Sequence, residues 1–311
     1  MEFTSLSNSG LDISRSELGE LFQPFVAETF DAAAEPWRAE QRRRERKIRR
    51  KYLKRMVLGW LPSTQRNERT VIDEYSKAWQ LSEYDKYDLH RPLARVSPWE
   101  WGEQKLFASD VGATRFRQLI LIRVIEQLKP RTVLEVGCGN GINLILLACR
   151  FPDIDFTGVE LTRQGHQAAC EFQRQSELPR AMQEYAPLAL ADTGAFRRIR
   201  FIQGSAADLP FEDDSFDLVT TILALEQMER IRDQALREIT RVAARHLFNI
   251  EPFRDLNDEG GARRNVIQRN YFRGRIDDLP RYGFRPRLAL MDFPQEAFLK
   301  AGAVLSSKEG S

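Results

Sequence analysis

Three glycines and a carboxylate stand together around the end of a short apolar run. Thr132 to Val136 is typical of a buried parallel strand, which is a nearly continuous apolar run, and Glu135 interrupts it. Gly137, Gly139 and Gly141 follow at alternate positions. Glycines there let the backbone turn tightly and approach a ligand, and the next helix offers its first amides. The pattern predicts a ligand crevice, in which Glu135 holds a cationic group directly or fixes the loop amides.

The sixth position of this glycine loop distinguishes two classes of cofactor. A dinucleotide fingerprint has glycine or alanine there, so that the helix packs closely on the strand below a pyrophosphate. This chain has Ile142 at that position. The loop therefore favours a cofactor other than a dinucleotide.

The loop resembles a known motif. Leu134 to Gly141, with the sequence LEVGCGNG, is similar to motif I of the class I S-adenosylmethionine-dependent methyltransferases. The next predicted strand, 155–160, ends in Glu160, about twenty residues after the glycines. The resemblance implies that S-adenosylmethionine is the cofactor and that Glu160 bridges its two ribose hydroxyls.

A third predicted strand, 199–203, leads into the loop 204–211, which in this family wraps the adenine ring. Many members of the family carry an acid directly after the glycine of that loop, whereas this chain has Ser205. Three groups stay open as the adenine contact: Ser205, the backbone of Ala206 and Asp208.

Residues 215–221 are the predicted fourth strand, and the segment that follows it corresponds to the methionine end of the cofactor site. Ile222 to Met228 resembles the family segment that lines the methionine moiety, so Ile222 is counted among the cofactor residues. Gln227 stands where relatives often have histidine, which removes one candidate base.

A proton acceptor is needed only for some methyl acceptors. A hydroxyl acceptor must lose a proton to a base, whereas a neutral amine requires no strong base. Among the three histidines His90 is the preferred base, because His246 opens a strand away from the crevice and His166 lies early on the helix after the second strand. Glu226 and Glu251 are the carboxylate alternatives.

The elements that must position these residues follow from the same resemblance. It implies an α/β fold: a Rossmann-like, seven-stranded, mostly parallel sheet with helices on both faces, plus a helical N-terminal extension. Apolar residues at helical spacing predict a helix over 113–128. Residues 246–253 are the predicted fifth strand, and 285–293 and 298–305 are assigned to the last two.

Length and composition suggest how the chain is divided. With 311 residues and 42% hydrophobic content, one domain of about 200 residues plus an appendage is expected. Residues 1–62 are predicted to form a loose arm followed by a basic helix, 63–112 a lid, and 113–311 the methyltransferase domain. Aromatic residues of the lid, among them Trp99 and Trp101, are expected to form the wall of the acceptor site.

The positive charge is concentrated in one segment. Residues 38–55 hold eleven Lys or Arg against Glu40 and Glu45, a local +9 that leaves −7 for the rest of a chain whose net charge is +2. The run contains strong helix formers, and residues 38–61 are predicted to include an amphipathic basic helix. Three uses stay open: packing on the catalytic domain with a solvated basic face, peripheral contact with an anionic membrane, or nucleic-acid binding, the least favoured because no reading module accompanies the run.

The remaining features bear on compartment and chemistry. The three cysteines have no metal-ligand spacing and are expected to be reduced thiols, so no metal site is predicted. No leader peptide and no stretch of membrane-spanning length is recognised, which predicts a soluble cytoplasmic protein, membrane-associated if the basic helix binds lipid. The sequence gives no indication of the oligomeric state.

Two functions are compatible with these observations. The first is methyl transfer to an oxygen or nitrogen of a small molecule, such as a sugar, a lipid-linked intermediate or a secondary metabolite. The second is a binding or scaffold protein that keeps the methyltransferase fold without turnover and docks through its basic helix. The intact glycine loop and Glu160 favour the first. Nucleic acid as the acceptor is less favoured, because no proline-flanked Asn or Asp motif follows the fourth strand.

Overall fold

A computed structural model describes residues 2–31, 34–61, 68, 70, 72–73, 84–93 and 95–310. Most of the first part of the predicted lid, residues 63–83, lies outside the described residues. No helix in the described ranges is long and apolar enough to cross a membrane.

The regular elements are named here in chain order. The strands are β1 (Val26–Phe30), β2 (Ser97–Trp101), β3 (Gln104–Ala108), β4 (Thr132–Val136), β5 (Asp155–Glu160), β6 (Arg200–Gln203), β7 (Phe216–Ile222), β8 (Ala243–Glu251), β9 (Phe284–Leu290), β10 (Gln295–Glu296) and β11 (Gly302–Lys308). The helices are α1 (Arg15–Phe22), α2 (Glu35–Leu58), α3 (Val111–Leu128), α4 (Ile142–Arg150), α5 (Arg163–Gln173), α6 (Arg180–Tyr185), α7 (Arg232–Val242) and α8 (Gly260–Arg269).

Seven strands form the central sheet, in the order β6-β5-β4-β7-β8-β11-β9. Neighbouring strands from β6 to β8 are parallel, whereas β11 runs antiparallel to both β8 and β9. Helices α3 and α4 belong to one apolar cluster and α7 to a second, so helices cover both faces. The predicted seven-stranded, mostly parallel sheet is confirmed.

The strand order determines where a ligand binds. From β4 the chain proceeds to β5 and β6 on one side, and β7 and β8 continue the sheet on the other. The order therefore reverses at β4, and a crevice opens beyond the carboxyl ends of β4 and β7. The glycine loop follows β4, Glu160 ends β5, and the segment 223–228 follows β7, so all three meet at this crevice.

The expectation of a loose arm before the basic helix was wrong. Ser14 caps α1 by accepting a hydrogen bond from the Glu17 amide at 3.0 Å. Leu18 and Phe22 of that helix are buried, and the Phe22 ring lies 5.5 Å from the ring of Phe116 on α3. Apolar residues at helical spacing therefore fix the arm to the catalytic domain.

A small second sheet carries part of the predicted lid. It is antiparallel, with the order β1-β3-β2-β10. Trp99 in β2 is 1% exposed, and its ring lies 5.5 Å from that of Phe22. Trp101 is also buried, with Arg15 stacked over its ring. These two tryptophans hold the N-terminal segment in place and do not form the predicted acceptor wall.

The basic run forms the helix α2, as predicted, and ends at Leu58 before Gly59. Ile48 is its buried residue, and Glu45 pairs with Arg264 of α8 at 2.5 Å. The glycine pair at 260–261 predicts a long loop over residues 255–270, but the structure has the pair at the start of helix α8.

Candidate cofactor and active site

The glycine loop adopts backbone conformations that are unfavourable for residues with a Cβ. Gly137, Gly139 and Gly141 have φ angles of 79°, 58° and 78°, in the left-handed region. A Cβ on Gly137 would lie 2.5 Å from the Cβ of Ala224, and one on Gly141 would lie 2.7 Å from the ring of Phe201. Glycine is required at both positions by conformation and by space.

The amides of the loop are already bonded within the protein. Those of Gly137 and Cys138 donate to the Val159 carbonyl at 2.7 and 3.1 Å, and the Gly139 amide donates to Oε2 of Glu160 at 3.0 Å. A pyrophosphate site presents such amides to the ligand. These three are not free to do so, which supports the exclusion of a dinucleotide.

Glu160 is held in one orientation at the edge of the crevice. Its Oε1 accepts hydrogen bonds from the amide and the hydroxyl of Thr162, at 2.9 and 2.5 Å. Thr162 in turn caps α5 by accepting a bond from the Gly165 amide at 3.2 Å. Because Oε2 accepts only the Gly139 amide among the described residues, it has a lone pair left for a ligand hydroxyl.

A cleft joins the three segments at the carboxyl edge of the sheet. Its polar side carries the Glu160 carboxylate, and its remaining walls are largely apolar. The lining residues are Glu68, Gly137, Gly139, Glu160, Leu161, Thr162, Ala206, Leu223, Ala224, Gln227, Met228 and Ile231. A carboxylate acceptor beside apolar walls fits a nucleoside whose sugar carries two hydroxyls. The residues present therefore fit S-adenosylmethionine.

The predicted cofactor residues divide into two groups. Gly137, Gly139, Glu160 and Ala206 line the cleft. Gly141 and Ile222 are not among its lining residues: Gly141 caps α4, and Ile222 ends β7 and packs against the apolar core.

Glu135 lies beneath the loop in β4 and is 2% exposed. Its Oε1 accepts a hydrogen bond from the Asn143 amide group at 2.7 Å, while its Oε2 is buried without a hydrogen-bond partner in the described part of the chain. Burial, with a smaller contribution from the charge of Glu160, raises the pKa of Glu135 to about 8. In the observed hydrogen bonds Glu135 connects β4 to the start of α4 instead of fixing the loop amides.

The loop after β6 brings a different acid to the cleft from the one predicted. Asp208 is exposed and is not one of the lining residues, so its assignment to the adenine contact is corrected. The Ser205 hydroxyl donates to Oε1 of Glu68 at 2.6 Å and accepts from the Ala207 amide at 3.2 Å. Glu68 comes from 137 residues earlier in the chain, and nothing in the sequence indicated it.

Glu251 positions the segment after β7. It is 0% exposed, and its Oε1 accepts the amides of Ala224 and Leu225 at 2.9 and 3.0 Å, while its Oε2 accepts the amide of Glu226 at 3.1 Å. Burial raises the pKa of Glu251 to about 7, against the opposing effect of these bonds. Glu251 is therefore a positioning residue, which corrects its assignment as a candidate base.

Glu226 has one oxygen without a partner. It is 6% exposed; its Oε1 accepts a bond from the side chain of Gln227, and its Oε2 is buried with no hydrogen-bond partner in the described structure. Burial and the charge of Glu251 raise the pKa of Glu226 to about 8, while Arg269 and Arg117 oppose that rise. Gln227, which donates this bond, lines the cleft, whereas Glu226 itself is not among the lining residues.

His90 is not part of this arrangement. Its side chain is 82% exposed, and its Nε2 lies 3.5 Å from a carboxylate oxygen of Glu184. It is exposed and lies outside the lining of the cleft, so it is not proposed as the base. An aromatic-rich neighbourhood in the sequence did not indicate proximity to the site.

Several lining residues were missed by the sequence analysis. Leu161 and Thr162 directly follow Glu160 at the end of β5, and a threonine before a helix is a recognisable N-cap. Leu223 has a φ of 52°, an uncommon conformation for leucine that no sequence pattern indicated. Ile231 extends the apolar wall beyond the predicted segment 222–228.

Comparisons with known proteins show that part of the chain is similar to methyltransferases. Residues 134–246 match a family model described as a methyltransferase domain. Ajmaline N-methyltransferase of Rauvolfia serpentina is 31% identical over 116 residues, 37% of this chain and 33% of that protein. Demethylmenaquinone methyltransferase of Porphyromonas gingivalis is 32% identical over 132 residues, 42% of this chain and 46% of that protein.

The matched regions therefore span about a third to a half of the length of these curated relatives. Among solved structures, that of the YcgJ protein from Bacillus subtilis aligns with a TM-score of 0.43 and 17% identity, over 63% of this chain and 99% of that one.

Proposed function

We propose that the protein is a class I S-adenosylmethionine-dependent methyltransferase that transfers a methyl group to an oxygen or nitrogen of a small molecule; the match of residues 134–246 to a methyltransferase domain supports this. The observation that carries the proposal is the Glu160 carboxylate, fixed by three hydrogen bonds at a cleft whose loop amides are closed to a phosphate.

In this proposal each side of the cleft has its own task. Glu160 accepts the two ribose hydroxyls, and Leu161 and Ala206 contact the adenine ring. Glu68, oriented by Ser205, accepts from the exocyclic amine in place of the acid that this loop lacks. The bound cofactor supplies an electrophilic methyl group on a positively charged sulfur, so the protein needs to align the acceptor and exclude water.

The acceptor is proposed to be a small molecule such as a sugar, a lipid-linked intermediate or a secondary metabolite. The curated relatives support a small molecule, since they are named for the N-methylation of ajmaline and the methylation of demethylmenaquinone. The test is formation of S-adenosylhomocysteine from S-adenosylmethionine with a panel of secondary amines, phenols and sugars. Binding of the cofactor without turnover on any of them, or in the presence of any lipid extract, would instead favour a scaffold role.

Glu226 is the proposed proton acceptor for a hydroxyl acceptor. Transfer forms a carbon–oxygen bond as the carbon–sulfur bond breaks, and the hydroxyl proton passes to the free Oε2 of Glu226. With its pKa raised to about 8, Glu226 is largely protonated at neutral pH and gains its basic form as the pH rises.

Replacement of Glu226 by glutamine is expected to lower kcat with a hydroxyl acceptor by about 100-fold, because glutamine cannot take the proton. In the wild type, log kcat should rise with unit slope up to about pH 8 and then level off, since only the deprotonated carboxylate acts. The variant should lose that slope. Initial rates of S-adenosylhomocysteine formation between pH 6 and 10 measure both quantities.

The control is Glu212→Gln, which alters an exposed carboxylate of the same chain. Its rates and pH profile should match those of the wild type. An unchanged pH slope in Glu226→Gln would remove Glu226 from the role of base.

A further inference from the structure

The end of α2 presents an apolar surface to solvent. Leu53, Met56, Val57 and Trp60 are 54%, 61%, 69% and 73% exposed. Val96 is the other large apolar side chain that is exposed in the described part of the protein. Exposed apolar residues are common singly, whereas a group on one helix end marks a contact surface. We call these four residues the apolar tip.

The apolar tip projects from a helix that is fixed elsewhere. Ile48 is buried, Glu45 pairs with Arg264, and Arg44 lies 3.5 Å from Glu296. At the tip itself, the indole Nε1 of Trp60 donates to the Val57 carbonyl at 3.0 Å. The ring is thus held beside the other apolar side chains, so the surface is formed before any partner arrives.

Cations surround the apolar tip on the same helix. Lys47, Arg49, Arg50, Lys51 and Lys54 are exposed, and none of them forms an ion pair with a described residue. An amphipathic helix with Lys and Arg on its polar face and Trp and aliphatic residues on the other is suited to the interface of an anionic bilayer.

We propose that residues 47–60 dock the protein on an anionic phospholipid surface, with Met56, Val57 and Trp60 in the interface and the neighbouring cations on the lipid phosphates. Such a helix also attracts nucleic acid, the other common polyanion. However, nucleic-acid phosphates contact only the Lys and Arg side chains and do not account for the exposed apolar side chains of the tip.

Flotation of the full-length protein with vesicles tests this proposal without any cofactor, so its outcome is independent of the methyltransferase activity. Vesicles of phosphatidylcholine alone are compared with vesicles containing about 30% phosphatidylglycerol. We expect binding to the anionic vesicles, with at least about a tenfold loss in Met56→Ser/Val57→Ser/Trp60→Ser. Lys51→Gln/Lys54→Gln should also bind the anionic vesicles about tenfold more weakly than the wild type. The difference should be larger at low salt than at high salt.

The matched control is Val96→Ser, which removes an exposed apolar side chain outside the tip and should bind as the wild type does. All altered residues are exposed, so thermal melts should coincide. Failure of the wild type to float with anionic vesicles would overturn the proposal. So would undiminished flotation of the triple variant, or binding of an oligonucleotide in preference to the anionic vesicles.

Discussion

Replacing Glu160 by alanine is expected to weaken binding of S-adenosylmethionine by about 100-fold or more. The carboxylate is the proposed acceptor for both ribose hydroxyls, and hydrogen bonds to a charged group each contribute about 1.5–3 kcal/mol. Its removal also releases the Gly139 amide and the Thr162 side chain that orient the loop. Equilibrium dialysis with radiolabelled S-adenosylmethionine measures the affinity directly.

Asp208→Ala is the matched control for Glu160→Ala. Asp208 is an acid at the same edge of the sheet, but it is exposed and outside the lining of the cleft. Its removal should change the dissociation constant by less than about twofold. If Glu160→Ala bound as tightly as Asp208→Ala, the ribose would not lie on Glu160.

Replacing Glu251 by alanine is expected to lower the free energy of unfolding by about 3–5 kcal/mol. The variant leaves three buried amides, those of Ala224, Leu225 and Glu226, without their acceptor, and an unsatisfied buried donor costs about 1–3 kcal/mol. The free energy of unfolding of Glu251→Gln should lie between those of the wild type and Glu251→Ala, because the glutamine side chain keeps one oxygen that can accept a hydrogen bond. Urea unfolding followed by circular dichroism gives the three free energies.

Glu103→Ala serves as the control for the Glu251 series, since Glu103 is an exposed carboxylate in the turn between β2 and β3. It should unfold within about 0.5 kcal/mol of the wild type. A Glu251→Ala variant that is as stable as this control would show that water replaces the carboxylate at no cost.

The parts of the site that sequence could predict are those where conformation selects the residue type. Gly137 and Gly141 stand where a Cβ would collide, so the spacing of the glycines reports the turn itself. Glu160 ends an apolar run, and its position relative to the glycines depends only on the length of one β-strand and one helix. The seven-stranded sheet followed from the resemblance of the glycine loop to the methyltransferase motif, which implies that fold.

The parts that sequence could not predict depend on contacts between distant residues. Glu68 reaches Ser205 across 137 positions, and the pairing leaves no local pattern. Glu251 and His90 also show that residue type alone does not reveal the contacts of a side chain. Residue type suggested chemistry for both, but the first is used entirely by three backbone amides and the second lies on the surface. The N-terminal segment was misread because its buried apolar residues are spread over several short elements and the turns between them.

The central claim is that the cleft beyond β4 is built for S-adenosylmethionine, and equilibrium dialysis of the full-length wild-type protein tests it most directly. We predict saturable one-to-one binding of S-adenosylmethionine with a dissociation constant of about 1–100 μM, displaced by S-adenosylhomocysteine and not by NAD. Absence of saturable binding up to about 1 mM, or displacement by NAD, would contradict the account.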